Sequence, residues 1–173
     1  MKTSKKILLF TAGILSAIFI TGLMFFRSEV NALMVKAQLE MPYELAEVGK
    51  FYNLDFSTNW IVKIKQGRRH EVEVANDGTL EPKLENIHGT LYFKIDSMSS
   101  KNGKGNLYAR ITMPDLKKIK AKGTTRVELK NFQSDSLEVI LEDQGVFMSD
   151  KNTIKHVFYQ TSGEAIIEFI DDI

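Results

Sequence analysis

The fold is decided by the last third of the chain, where three successive segments read KKIKAKGTTRVELKNFQSDS (117–136), LEVILEDQGVFMSDKNTIKH (137–156) and VFYQTSGEAIIEFIDDI (157–173). Written one under another, these segments share inward columns and a turn column. The inward columns are Ile119, Val139 and Tyr159; Ala121, Leu141 and Thr161; and Val127, Phe147 and Ile167, and the turn column is Gly123, Asp143 and Gly163. A fixed period near twenty with apolar columns is typical of a solenoid. We therefore expect equivalent residues to stack about 4.8 Å apart on parallel strands.

An antiparallel sandwich is the alternative, because a period of twenty also accommodates two hairpin strands with their turns. Three observations favour the coil. The columns hold across two strands in each copy, and turns such as Lys122-Gly123-Thr124 are not the dipeptides of β-hairpins. In addition, Gly123 and Gly163 recur in phase with the repeat.

Upstream of the repeat, from Phe51 onward, apolar and polar residues alternate with a period of two. The apolar members are Val62 and Ile64; Val72 and Val74; Leu91, Phe93 and Ile95; and Leu107, Ala109, Ile111 and Met113. Such alternation predicts strands with one buried and one wet face. Turn residues such as Asn76-Asp77-Gly78 and His88-Gly89 separate them. The fold class predicted is therefore all-β.

The N-terminal segment from Ile7 to Phe26, ILLFTAGILSAIFITGLMFF, carries no charge. Twenty helical residues span about 30 Å, the thickness of the hydrocarbon core of a bilayer. Lys2, Lys5 and Lys6 precede the segment, so the positive-inside rule places the N-terminus in the cytoplasm and residues 28–173 outside it. We expect one N-terminal transmembrane helix that anchors the protein in the inner membrane.

A cleaved signal peptide is the rival interpretation of the same segment, with Val30-Asn31-Ala32 as the cleavage site. The apolar run is longer than the usual signal core of about 7–15 residues, which favours the uncleaved anchor. Both interpretations export the remaining chain to the cell envelope.

The chain divides into three regions in this interpretation. Residues 1–27 form the anchor or signal sequence, residues 28–50 a partly helical connector, and residues 51–173 the β domain. Pro42 disfavours helix at the residue before it and therefore ends the helical part of the connector.

Composition excludes several classes of protein. The chain has 173 residues, a formal net charge of +1 and no cysteine. Without cysteine there are no disulfides and no cysteine zinc sites. A net charge near zero argues against a nucleic-acid partner.

Candidate catalytic chemistry is sparse, and we predict no enzyme activity, no cofactor and no metal site. His70, His88 and His156 are far apart in sequence and lack the spacing of metal ligands, so exposed turn histidines are the favoured interpretation. There is no Gly-x-Ser-x-Gly elbow and no phosphate-binding glycine loop. A hydrolase acting on envelope sugars would need two convergent carboxylates in a cleft.

Basic residues supply a first candidate binding face. Lys118, Lys120 and Lys122 alternate with Ile119 and Ala121, so they share an outer face on which anionic lipid or acidic glycan could bind. An ordinary solvated face is the competing and favoured explanation. The wider basic group comprises Lys63, Lys65, Arg68, Arg69 and Lys117.

Aromatic residues offer a second candidate surface. A carbohydrate-stacking platform would be built from Trp60, Tyr52, Tyr92, Tyr108 and Tyr159. Because aromatic side chains in strands more often pack against their neighbours, the core is the favoured location.

The stretch from about Phe51 to Phe169 resembles the family of putative auto-transporter adhesins, the head GIN or DUF2807 domain. The segments that carry the resemblance are VKIKQG (62–67), HEVEV (70–74), GTLYF (89–93), ARITMPDLKKI (109–119) and SDSL (134–137). The chain departs from the family pattern at Asn59-Trp60, where a small glycine-containing turn is usual, and in two of its repeat turns, Lys122-Gly123-Thr124 and Glu142-Asp143-Gln144-Gly145.

The resemblance implies a short right-handed parallel β-helix, an exported location and no known catalysis. Combined with the N-terminal segment, it predicts a membrane-anchored, non-enzymatic envelope domain that binds a protein, glycan or lipid. The alternative is a structural or envelope-sensing module that self-associates into a homo-oligomer through open ends of the coil.

Overall fold

The computed structural model describes residues 42–57, 59–76, 80–95 and 105–170, which belong to one compact unit, Pro42–Ile173. Within these ranges no helix is long and apolar enough to cross a bilayer. The predicted anchor at residues 7–26 and the helical part of the connector lie outside the described residues.

The described chain is all-β, as predicted, and forms two mixed sheets. The strands are β1 (Glu44–Ala46), β2 (Asn53–Phe56), β3 (Trp60–Gln66), β4 (Glu71–Asn76), β5 (Pro82–Ile87), β6 (Thr90–Ile95), β7 (Leu107–Met113), β8 (Lys118–Ala121), β9 (Arg126–Lys130), β10 (Gln133–Leu141), β11 (Val146–Asp150), β12 (Thr153–Thr161) and β13 (Ile166–Ile170). Sheet A has the order β1-β4-β7-β3-β9-β11-β13, and sheet B the order β12-β10-β8-β2-β6-β5. Strand β1 lies in the stretch predicted to be connector.

The twenty-residue repeat stacks in the predicted register. In sheet B, Val139 pairs with both Ile119 and Tyr159 on parallel strands. In sheet A, Phe147 pairs in the same way with Val127 and Ile167. Each repeat thus contributes one strand to each sheet, and we call such a strand-turn-strand unit a rung. The predicted columns are confirmed, because both strands of every repeat keep the offset of twenty.

The first rung of the chain, β2 with β3, does not stand at the end of the stack. Strand β2 lies between β6 and β8, and β3 lies between β7 and β9, in parallel register on both sides. The predicted parallel β-helix does not describe the whole domain, because β1, β4 and β5 pair antiparallel with their neighbours. The short link between β3 and β4 reverses the direction of the chain, which explains why β4 runs antiparallel to the neighbouring strands.

The hydrophobic core combines inward residues of both sheets in one cluster. Its largest members include Phe56, Trp60 and Phe93, whose ring centroids lie between 4.4 and 6.4 Å apart. Burying an aromatic or branched aliphatic side chain contributes about 1.5–3 kcal/mol. A single rung therefore depends on the neighbouring rungs for most of its stability.

The polar side chain of Ser149 at an inward position is satisfied locally. Ser149 occupies the column of Leu129 and Phe169, and its hydroxyl accepts a hydrogen bond of 2.8 Å from the Asn152 side chain. The same Asn152 amide donates to the carbonyl of Leu129 at 2.7 Å and accepts the Phe132 amide N–H at 2.8 Å. Asn152 thus ties its own turn to the preceding rung.

The predicted turn column adopts left-handed backbone conformations. Gly123, Asp143 and Gly163 have φ values of 69°, 61° and 76°. Residues with a Cβ atom rarely adopt this region, so glycine is favoured there and aspartate is tolerated better than most. The repeated glycine in the sequence therefore marks a backbone requirement.

Replacing Gly123 with alanine is expected to lower the free energy of unfolding by about 1 kcal/mol, because the new Cβ atom disfavours positive φ. Asp143→Gly is expected to raise it by about 0.5 kcal/mol for the same reason. Urea denaturation followed by circular dichroism measures both changes. Gln144→Ala, in the same turn, is the control and should stay within about 0.5 kcal/mol of the unmodified protein. Equal effects of Gly123→Ala and Gln144→Ala would contradict the explanation.

Removing the Asn152 side chain with Asn152→Ala is expected to lower the free energy of unfolding by about 2 kcal/mol, because it leaves the partly buried Leu129 carbonyl and Phe132 N–H without this partner. Ser134→Ala, which removes an exposed hydrogen bond of 3.0 Å to the Ser136 carbonyl, should cost far less. Urea denaturation of both variants tests the difference. A loss for Asn152→Ala no larger than for Ser134→Ala would show that the side chain does not stabilise the stack.

Candidate functional site

The predicted lysine face lies on the outer side of sheet B. Lys118 and Lys120 point outward from β8 while Ile119 and Ala121 are fully buried, as the alternation predicted. Lys122 follows directly after the strand. The structure therefore brings the three predicted residues together on one surface.

Each lysine of this face contacts a glutamate of the next rung. The Lys118 ammonium lies 3.2 Å from a Glu138 carboxylate oxygen, and those of Lys120 and Lys122 lie 3.1 and 3.8 Å from Glu142. Three ammonium groups and two carboxylates leave a net charge of +1 on this group. The field that reaches a ligand is accordingly much weaker than three unpaired lysines would produce.

The ionisation of the face reflects these contacts. The hydrogen bond and charge of Glu142 raise the pKa of Lys120 above its ordinary value. Burial raises the pKa of Asp55 on the neighbouring β2, although the charge of Lys120 opposes the rise. Opposite charges on adjacent strands thus favour the stacking of the rungs.

The wider basic group is divided between the two sheets. Lys63 and Lys65 lie on β3 of sheet A, whereas Lys118 and Lys120 lie on sheet B. The Lys117 ammonium lies 5.4 Å from the centre of the Tyr52 ring. The basic residues therefore do not form one continuous surface.

A concavity on the outer side of sheet A was not anticipated from the sequence. It has a volume of about 330 Å³ and includes Lys63, Lys65, Arg110, Glu73 and Glu128 in its lining. Across β4, β7, β3 and β9 the paired residues are Glu73, Arg110, Lys63 and Glu128, so two central cations are flanked by carboxylates. Only the strand order reveals this row, because its members are distant in sequence.

The candidate aromatic platform is not assembled. Trp60 is completely buried in the core, as the favoured interpretation predicted. Tyr92 lies on sheet B and Tyr108 on sheet A, and Tyr159 lies in an inward column of the last rung. These tyrosines do not share a face.

The histidines lie at separate places. His88 is exposed in the turn between β5 and β6, and His156 is exposed on β12, at the opposite edge of sheet B. His70 packs edge-on against Phe51 with ring centroids 4.9 Å apart, and burial lowers its pKa. In the described ranges, no group of three or more histidine or carboxylate side chains is placed to hold a metal ion.

Comparison with solved structures shows the same fold in larger proteins. A putative adhesin from Parabacteroides distasonis matches with a TM-score of 0.66 and 12% identity, over 75% of this chain and 56% of that one. A putative lipid binding protein from the same organism matches with a TM-score of 0.59 and 14% identity, over 75% of this chain and 58% of that one. The chain thus spans a little over half the length of both proteins. A comparison with curated proteins found no match.

The family comparison covers the described domain almost completely. A family model described as "Putative auto-transporter adhesin, head GIN domain" matches residues 50–170, which confirms the resemblance noted in the sequence. Neither this description nor those of the two structural neighbours names an enzyme. The chain belongs to the family of putative auto-transporter adhesin head GIN domains (DUF2807).

Proposed function

We propose that this protein is a non-enzymatic, adhesin-like binding module of the cell envelope, anchored in the inner membrane by residues 7–26. The observation that carries the proposal is the order of two features: an uncharged run of bilayer length, followed by an adhesin-family domain over residues 50–170. The domain then lies outside the cytoplasm, where a partner can reach both outer faces.

We further propose that the parallel rungs within residues 51–173 form a short right-handed parallel β-helix. Parallel pairing at an offset of twenty residues in both sheets supports this architecture. A stack of rungs is rigid and presents regular rows of outward side chains, which suits a module that displays a binding surface.

The proposed binding surface is the lysine face, Lys118, Lys120 and Lys122, and the proposed partner is an acidic glycan. The pairing of these lysines with Glu138 and Glu142 determines how tightly an anionic ligand is expected to bind. Because exposed ion pairs exchange at a cost of about 0.2–1 kcal/mol each, an anionic ligand can displace the glutamates. Binding is then weak and sensitive to salt.

Membrane anchoring is tested by placing charges in the apolar run. Leu15→Lys with Ile18→Lys changes the insertion free energy by about 6–8 kcal/mol, which is enough to oppose insertion of the segment. The double variant is expected to leave the membrane fraction of bacterial cells, whereas the unmodified chain stays in that fraction with its C-terminal domain open to protease added after the outer membrane is permeabilised. Leu33→Lys with Met34→Lys is the matched control and should stay with the membrane. Loss of both variants from the membrane, or of neither, would contradict the proposal.

Glycan binding is tested by neutralising the lysines and the glutamates of the face in separate variants. Lys118→Gln, Lys120→Gln and Lys122→Gln together should weaken binding of the detergent-solubilised chain to polygalacturonate about tenfold, since three charges at about 0.5 kcal/mol each give about 1.5 kcal/mol. Glu138→Gln with Glu142→Gln should strengthen the same binding. Titration by fluorescence anisotropy measures both changes.

The control for this experiment is Lys63→Gln with Lys65→Gln, which removes positive charge from the other sheet. If this variant lowers the affinity as much as the triple variant, net charge rather than the lysine face governs binding. If the glutamate variant does not strengthen binding, displacement of the glutamates is not part of recognition.

A further inference from the structure

The concavity on the outer side of sheet A lies between two rows of outward side chains that cross β4, β7, β3 and β9. In that strand order, the first row is Glu73, Arg110, Lys63 and Glu128. The second row, two residues away on each strand, is Glu71, Thr112, Lys65 and Lys130. Thr112 is the shortest of these side chains and lines the concavity, so the hollow lies over a gap among long charged side chains.

Like charges stand opposite each other in this concavity. Arg110 on β7 pairs with Lys63 on β3, and Lys65 on β3 pairs with Lys130 on β9. Like charges directly opposite on neighbouring strands destabilise a sheet. The lysine face of sheet B is arranged in the reverse way, since its lysines contact glutamates of the next rung. Departures from favourable pairing are expected at functional sites, so the concavity is a candidate site for an anionic group.

The central cations of the concavity are available to a ligand. Among the described residues, no ion pair joins Arg110, Lys63 or Lys65 to a carboxylate. The Arg110 guanidinium carbon lies 3.8 Å from the centre of the Tyr43 ring instead. A guanidinium that is stacked on an aromatic ring keeps the N–H donors in its own plane for a carboxylate, which it can bind through two parallel hydrogen bonds. Tyr43 thus positions Arg110 without occupying its donors.

Carboxylates flank these cations on both sides. Glu73 stands beside Arg110 on β4, and Glu128 stands beside Lys63 on β9. A ligand that carries only negative charge is attracted by the centre of the row and repelled by its flanks. A ligand that also carries an ammonium group is attracted by both. The charge pattern therefore favours a zwitterion over a simple anion.

The spacing of the strands determines how far apart the two charges of such a ligand should be. Neighbouring strands lie about 4.8 Å apart, so a point midway between Arg110 and Lys63 lies about 7 Å from the strand of either flanking glutamate. A fully extended chain of two residues also spans about 7 Å. A dipeptide with free ends can therefore place its carboxylate between the two cations and its ammonium group at Glu73 or Glu128.

We propose that the concavity binds short peptides with free ends. Arg110 and Lys63 hold the carboxylate of the peptide, and Glu73 or Glu128 holds its ammonium group. The volume of about 330 Å³ lies at the lower end of the range of small-molecule sites, about 300–1,000 Å³, which agrees with a ligand of this size. The site and the lysine face lie on different sheets, so the proposal depends neither on a glycan nor on membrane anchoring.

The test measures the binding of three probes to the full-length chain, purified in a non-ionic detergent. Glycylglycine carries both charges, N-acetylglycylglycine lacks the ammonium group, and glycylglycine amide lacks the carboxylate. Titration by saturation-transfer NMR should show saturable binding of glycylglycine. Both modified probes should bind about fivefold more weakly, which corresponds to the loss of about 1 kcal/mol of ion pairing.

Variants locate the binding in the concavity. Arg110→Gln should weaken glycylglycine binding about fivefold, and Glu73→Gln with Glu128→Gln should remove the preference for glycylglycine over its acetylated form. Thr112→Leu fills the hollow without changing a charge and should also weaken binding. The matched control is Arg126→Gln, which alters an exposed arginine of β9 that does not line the concavity and should leave the dissociation constant within a factor of two.

Three outcomes would overturn the proposal, provided that circular dichroism shows the variants to be folded. The first is the absence of saturable glycylglycine binding. The second is equal binding of glycylglycine and N-acetylglycylglycine, because the glutamates then play no part in recognition. The third is an equal loss for Arg110→Gln and Arg126→Gln, because net charge rather than the concavity then attracts the peptide.

Discussion

The whole domain depends on parallel hydrogen bonding at an offset of twenty residues. This register places each inward side chain directly over its equivalent in the next rung, so Val139 is covered by Ile119 on one side and Tyr159 on the other. Burial is therefore a property of the stack and not of one rung. In β12 and β13, the last of the described strands, Tyr159 and Phe169 of these columns are exposed. The burial of the core and the exposure of these two residues have one cause.

The register also organises the outer faces. Lys118 pairs with Glu138 across adjacent strands, and on the other sheet Arg110 and Lys63 stand between two glutamates. Opposite charges on neighbouring strands favour the correct pairing and keep the net field of each face low. A ligand that binds such a face must exchange partners with charges already in place, which makes recognition sensitive to salt and to the geometry of the row.

The two ends of the described sheets differ. Antiparallel strands, a proline and an ion-paired glutamate lie at one end, whereas at the other end Phe169 is exposed and no further described strand pairs with β12 or β13.

The sequence by itself determined the all-β class, the inward columns, the turn column and the shared orientation of Lys118 and Lys120. These are local properties, since alternation and a fixed repeat are written in neighbouring residues. Only the tertiary structure decided that the first rung lies between β6/β7 and β8/β9, and that Arg110 meets Lys63. Strand order depends on which edges are free when distant segments meet, and no short stretch of sequence encodes that choice. The pairing of each lysine with a glutamate, and the exposure of Phe169 in an otherwise buried column, follow from the same long-range placement.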